Sequence, residues 1–260
     1  MDWSTRKKLG CFGMIGLVIL LIAAYYVYKI FFTHVPTCFD GIQNQDEQGI
    51  DCGGVCANFC SWQEKSIVPL WARAFPIQNG VYSLVAYVQN QNINAGIEQI
   101  NYEFRVYDSN NILAGDPVTG TTFIEPNQST AIFQSPVSTG NRIPKNVFFS
   151  FTSTPVWTKT DPKYSVPQLT TANTHLTNTD TAPKLSADVI NNTLFNYNNI
   201  EVVAILYGAD GNAINASDTY IASLPQQSKQ TVYFTWPQKF SEPVTNITII
   251  PRLDPFTQSQ

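Results

Sequence analysis

After Cys60 the chain has no cysteine, and its full length holds only two histidines and two methionines. Charged residues make up 13% of it. So few imidazoles leave little room for a histidine-based metal or acid–base centre. His34 follows an apolar run, His175 lies in a Thr/Asn-rich stretch, and neither has an orienting partner nearby in sequence. Asp108, Asp116, Asp210 and Asp218 are read into turns or loops, where a short carboxylate hydrogen-bonds its own backbone. There is no phosphate-binding glycine loop after a strand, no nucleophile elbow and no zincin helix. Residues 33–260 carry 11 Lys/Arg against 18 Asp/Glu with no basic stripe, which argues against nucleic acid as a partner. No segment past residue 33 keeps a 3.6-residue apolar period over three turns, so the expectation there is all-β and not an enzyme.

What is present begins with the window Leu9–Tyr28, twenty residues without a charge. A helix of that length is roughly 30 Å long, the thickness of a bilayer core. Arg6, Lys7 and Lys8 precede it and Lys29 alone follows. The positive-inside rule then predicts a cytoplasmic tail over 1–8, a membrane anchor and its flank over 9–32, and everything later outside. A cleaved signal peptide is the competing reading. It fits less well, because the apolar run is long and Ala23-Ala24 leads into bulky tyrosines. The expected lipid contact is through residues 9–28.

Residues 36–60 hold Cys38, Cys52, Cys56 and Cys60. Four cysteines in so short an exported segment predict two disulfides, with three pairings open, and Cys11 left as a free thiol. Asp40, Asn44, Asp46, Glu47 and Asp51 gather hard oxygen ligands in the same stretch, a candidate calcium set without EF-hand spacing. Zinc held by thiolates is the lesser reading, since exported cysteines are usually oxidised. The pattern Cys38-x-Asp40-Gly41-x-x-Asn44-x-x-Glu47-x-Gly49-x-Asp51-Cys52-Gly53-Gly54-x-Cys56 resembles a short cysteine-rich motif of bacterial extracellular and surface proteins.

Beyond it, runs rich in Val, Ile, Tyr, Phe and Thr at 82–88, 100–107, 121–124, 130–134 and 147–151 read as strands. The pattern returns about a hundred residues later. Leu84–Asn90 aligns with Leu185–Asn191, Ile100–Asn111 with Ile200–Asn212, and Phe123–Ser129 with Ala222–Ser228, with Pro126 opposite Pro225. Recurrence in order predicts two β-sandwiches, over 66–157 and 184–256, joined by a linker or long loop at 158–183 that would let them fold independently. Ile200–Tyr207 is apolar on both faces, whereas Glu103 and Arg105 give the first copy a wet face. Val106-Tyr107-Asp108, Leu206-Tyr207, Asp210-Gly211-Asn212 and Leu224-Pro225 resemble the FxLYD-type and CARDB-like bacterial β-sandwiches. That resemblance implies immunoglobulin-like folds outside the cytoplasmic membrane, with no common catalytic site.

The function expected is therefore a membrane-tethered interaction or scaffold protein with an envelope protein as partner. The alternative is a surface module that binds glycan or peptide, with Trp157, Tyr164 and Trp236 as its ring candidates. Asn127, Asn191, Asn215 and Asn246 begin N-x-S/T sequons.

Overall fold

The computed structural model describes residues 3–32, 37–60 and 63–257, with the side chains of the N-terminal helix described over 12–29. The side chains of Arg6, Lys7, Lys8 and Cys11, and the whole of His34, lie outside what is described. Two compact units follow one another, one ending at Cys56 and the other starting at Ala57.

In the first unit, helix α1 spans Trp3–Phe32. Its window Phe12–Lys29 has a mean hydropathy of 1.8, and none of that window is buried by protein. The helix is followed by a short segment of turns, described with the candidate sites below.

The second unit is two antiparallel sandwiches. The first is built from β1 (Val68–Gln78), β2 (Val81–Gln89), β3 (Ala95–Tyr107), β4 (Val118–Ile124), β5 (Ser129–Ser138) and β6 (Asn146–Phe151). Sheet β1-β2-β5 faces sheet β4-β3-β6, and the two-residue β7 (Thr158–Lys159) adds to the start of β3. The second comprises β8 (Leu169–Thr177), β9 (Lys184–Asn191), β10 (Tyr197–Tyr207), β11 (Ala213–Leu224), β12 (Ser228–Thr235) and β13 (Asn246–Arg252). Its sheets are β8-β9-β12 and β11-β10-β13. Both copies thus have the A-B-E and C′-C-F strand orders of an immunoglobulin-like sandwich.

Alternation explains each core. In the first copy Leu84, Ala86 and Val88 of β2 meet Tyr102, Phe104 and Val106 of β3. In the second, Leu185, Ala187 and Val189 of β9 meet Val202, Ala204 and Leu206 of β10. A pleated strand sends alternate side chains to opposite faces, so each set of three lies on one face and hides against its counterpart.

The repeat holds at the level of single hydrogen bonds. Tyr107 pairs with Asn146 as Tyr207 pairs with Asn246. The turn bond from Asp108 N to Ile112 O recurs from Gly208 N to Asn212 O. Asn111 and Gly211 both take a left-handed conformation there, one that Asn and Gly adopt more readily than other residues. The buried Asn90 donates from Nδ2 to the carbonyls of Ala95 and Glu125, and the buried Asn191 does so to Phe195, Leu224 and Pro225.

The structure corrects four sequence expectations. Ile97 pairs with Ile124 as Tyr197 does with Leu224, so the offset there is 100 and Pro126 stands opposite Gln226 rather than Pro225. Residues 158–183 are not a free linker: they contain β7, a 3-10 turn at Pro162–Ser165 and β8, which is an edge strand of the second sandwich. Asp218 lies within β11 rather than in a loop, and His175 within β8.

The fourth correction concerns independence. The outer face of β1-β2-β5 presents Phe75, Val85 and Ala131 to Val203, Ile205, Ala213 and Ala216 on the outer face of β10 and β11. Val85, Val203 and Ile205 are fully buried in this third apolar cluster. The two-sided apolar character of Ile200–Tyr207 has this cause: one face fills its own sandwich, the other meets its neighbour.

Candidate functional site

The segment after α1 has too few apolar residues for a core, and covalent and carboxylate contacts hold it instead. Cys38 is bonded to Cys56 across a Cα–Cα distance of 5.6 Å, and Cys52 and Cys60 are disulfide-bonded as well. Asp51 accepts from the backbone N–H groups of Asp40 and Gly41 at 3.0 and 2.9 Å. Asp40 accepts from Thr37 and Ile42 N–H and from Asn44 Nδ2. Buried Glu47 accepts from Asn44 and Asp51 N–H through one oxygen, and its other oxygen lies 3.1 Å from Cys56 Sγ. Gly54, at φ +54°, sits where a Cβ would fall 1.7 Å from the Asp46 carbonyl oxygen, so only glycine fits.

These contacts give the motif a physical meaning. In a segment almost without strand pairing, its acidic residues satisfy backbone donors that a sheet would otherwise satisfy. No three of Asp40, Asp46, Glu47 and Asp51 bring carboxylate oxygens within 4.8 Å of one another, and Asp46 is exposed. The group that does converge among the described residues is Cys38, Glu47 and Cys56. Both of its sulfurs are spent in one disulfide, which leaves no thiolate for zinc.

The second arrangement lies where the sandwiches meet, and two arginines cross it in opposite directions. Arg73 of β1 donates to the Asn212 side chain and the Ala213 carbonyl. Arg252 of β13 is 3% exposed and donates to Thr130 Oγ1, Thr122 Oγ1, the Phe123 carbonyl and Glu201. It also lies 3.6 Å from Glu125 and stacks 4.5 Å from the Phe123 ring centre. Burial opposes its charge, but Glu125 and Glu201 outweigh that and hold its pKa above the ordinary value. Burial pushes Glu125 upward, against the pull of Arg252.

Beside this clamp is a cleft of about 440 Å³ lined by Tyr102, Gln134, Glu201, Asp218 and Tyr220 among others. Burial, and then the nearby Glu201 charge, raise the pKa of Asp218. The Tyr102 hydroxyl donates to Gln134 at 2.8 Å. What the ensemble does chemically is neutralise charge at a seam, with Arg252 shared between two carboxylates.

The ring candidates do not form a platform. Trp157, Tyr164 and Trp236 are all buried, packed into the two sandwich cores. Asn191 and Asn215 are buried too, while Asn127 and Asn246 are exposed. The clamp arginines escaped the sequence reading. The available signal was a lone charge in a largely apolar strand, within VPLWARAFPIQ for Arg73 and at the end of NITIIPR for Arg252.

No protein-family model matches the chain, and no curated protein matches it. Among solved structures it is similar to red sea bream transglutaminase, at 11% identity and a TM-score of 0.27 over 73% of this chain and 28% of that one. It is also similar to Bacteroides uniformis β-glucuronidase 2, at 12% identity and a TM-score of 0.23 over 67% and 25%. A glycoside hydrolase family 2 β-glucuronidase matches at 10% identity and a TM-score of 0.21 over 67% and 24%. The chain spans about a quarter of the length of these enzymes, and a likeness so slight carries no argument about activity.

Proposed function

We propose that the chain is a membrane-tethered scaffold on the extracytoplasmic side, which holds a rigid pair of sandwiches toward an envelope protein partner and catalyses no reaction. The observation that carries this reading is α1, whose apolar window has no protein cover and so calls for lipid. Arg6, Lys7 and Lys8 before the window, with Lys29 alone after it, favour a cytoplasmic N-terminus. The oxidised cysteines support the same side, because disulfides persist outside the reducing cytosol. The glycan-binding alternative loses its main support with the burial of Trp157, Tyr164 and Trp236.

Epitopes placed at the two ends test the topology. External protease on intact spheroplasts is expected to remove the C-terminal epitope and to spare the N-terminal one until lysis. A protected C-terminal epitope, or a chain released by alkaline carbonate, contradicts the tether. In-cell crosslinking from the sandwiches should then capture a discrete envelope protein.

A further inference from the structure

One end of the sandwich pair gathers exposed apolar side chains and lysines on neighbouring turns. The chain enters this unit at Ala57, whose carbonyl accepts from Lys159 N–H at 2.8 Å. Just after entry, Lys65 and Asn92 exchange two hydrogen bonds, which places the β2–β3 turn beside the entry. The 162–165 turn lies against the same loop, because Ser165 Oγ donates to the Ile93 carbonyl. Lys163 Nζ in turn lies 4.5 Å from the Phe195 ring centre, which brings in the β9–β10 turn.

Four large apolar side chains stand out from these elements. Ile93, Val166, Leu194 and Phe195 are 60%, 59%, 75% and 42% exposed. The turns carrying three of them are pinned from below by buried Asn90 and Asn191, so the tips are held outward. Lys65, Lys159 and Lys163 lie on the same elements, with Glu64 and Asp161 beside them in sequence and Lys163 paired with Asp161 at 3.4 Å, in a post-helix chain whose net charge is −7. Apolar tips with lysines on the same elements suit the interface of a bilayer with anionic headgroups, where the rings and aliphatic stems enter and the ammonium groups remain among the phosphates.

The covalent path supports that occupant. From Phe32 to Cys38 is six residues, at most about 20 Å when extended. The Cys38–Cys56 disulfide then bypasses eighteen residues with a Cα–Cα step of 5.6 Å, and Ala57 comes next. The covalent path from the end of α1 to Ala57 is therefore at most about 30 Å of chain, whatever the length of the loop between the cysteines.

We propose that the entry end of the sandwich pair, through Ile93, Val166, Leu194 and Phe195 with Lys65, Lys159 and Lys163, is a lipid-contact surface that seats the pair on an anionic membrane. The proposal rests on the reading of α1 as a membrane anchor. Its test uses the full chain in phosphatidylglycerol/phosphatidylcholine nanodiscs, with 4-fluorophenylalanine encoded in turn at Phe12, Phe195 and Phe148. Phe148 pairs with Arg105, ten residues along β3 from Ala95, and serves as the remote control.

The Phe195 fluorine should be broadened by a headgroup-borne nitroxide and shielded from an aqueous gadolinium chelate, and Phe148 should show the reverse. Phe12 should be broadened by a nitroxide on the acyl chain. If Phe12 is not broadened, the anchor reading fails. If Phe12 is broadened but Phe195 responds only to gadolinium, the lipid-contact surface alone is wrong. Shielding of Phe195 from both agents assigns the patch to a protein or a second copy and also overturns the proposal. Leu194→Asp, at an exposed tip, should abolish the nitroxide effect at Phe195 while leaving Phe12 unchanged.

Discussion

The two sandwiches share a topology and several turn bonds, yet they bury opposite outer faces. In the first, β2 and β5 point Val85, Tyr87, Ala131 and Phe133 outward, into the contact. The matching positions in the second are Ser186, Asp188, Thr231 and Tyr233, by the same register of β9 against β12. There the buried Asp188 collects hydrogen bonds from Asn173, Thr231 and the exposed Lys229. Conversely, Val203 and Ile205 are buried where the first copy has the ion pair Glu103–Arg105, whose arginine side chain is 54% exposed. The contact is thus heterologous, and each copy keeps one polar outer face. A repeat with apolar character on both outer faces would stack without end, so polarity at the two free faces limits the array to a pair.

Breaking the clamp should have the largest effect. Arg252→Ala leaves Glu125 and Glu201 without their shared counter-charge and is expected to cost about 3–5 kcal/mol in urea unfolding. Its counterpart a hundred residues earlier, the exposed Thr152, should tolerate Ala within about 0.5 kcal/mol. Equal costs at the two positions would remove the asymmetry. Next comes the apolar seam: Ile205→Ala should cost about 2–4 kcal/mol by cavity formation. Arg105→Ala, on the same strand face of the other copy, should cost no more than about 0.5 kcal/mol.

How much of this was legible follows from the same residues. The doubly apolar strand Ile200–Tyr207 announced a covered outer face, since alternation cannot fill two faces unless both are hidden. Its cover was not legible, because contact between sheets far apart in sequence leaves no periodicity. The edge strands were missed for another reason. β8 reads LTTANTHLT with only Leu169 buried, and β1 contains Pro69 and Pro76, so neither carries the alternation of a central strand. The acidic residues after α1 were legible as a cluster, but their use as backbone acceptors depends on three-dimensional turns. Arg73 and Arg252 show only as lone charges in apolar strands.

Where the copies agree, equal effects are expected. Asn90→Ala and Asn191→Ala each remove a buried side chain that donates to turn carbonyls and should both cost about 2–3 kcal/mol, measured by thermal unfolding. A large difference between them would mean that the two turns are not equivalent. The smallest effect concerns acid. Its hydrogen bonds from Thr231, Asn173 and Lys229 hold the Asp188 pKa well below its ordinary 3.8. A depressed carboxylate contributes its full stability above the unfolded value and loses it as the pH falls through the folded one. Urea midpoints taken above and below 3.8 should therefore drop less in Asp188→Asn than in the parent. Arg142→Ala extends that test to the first copy, where the Ile112 N–H and then Arg142 hold Asp108 low.

The central claim is that the seam makes one rigid body of two duplicated sandwiches. Pulsed dipolar spectroscopy on the full chain in nanodiscs tests it most directly, with spin labels on encoded keto amino acids at the exposed positions Phe148 and Tyr233, one in each sandwich. A single narrow distance distribution, broadened by Ile205→Asp, is the predicted result. A broad distribution in the parent protein would show two domains moving independently and contradict the account.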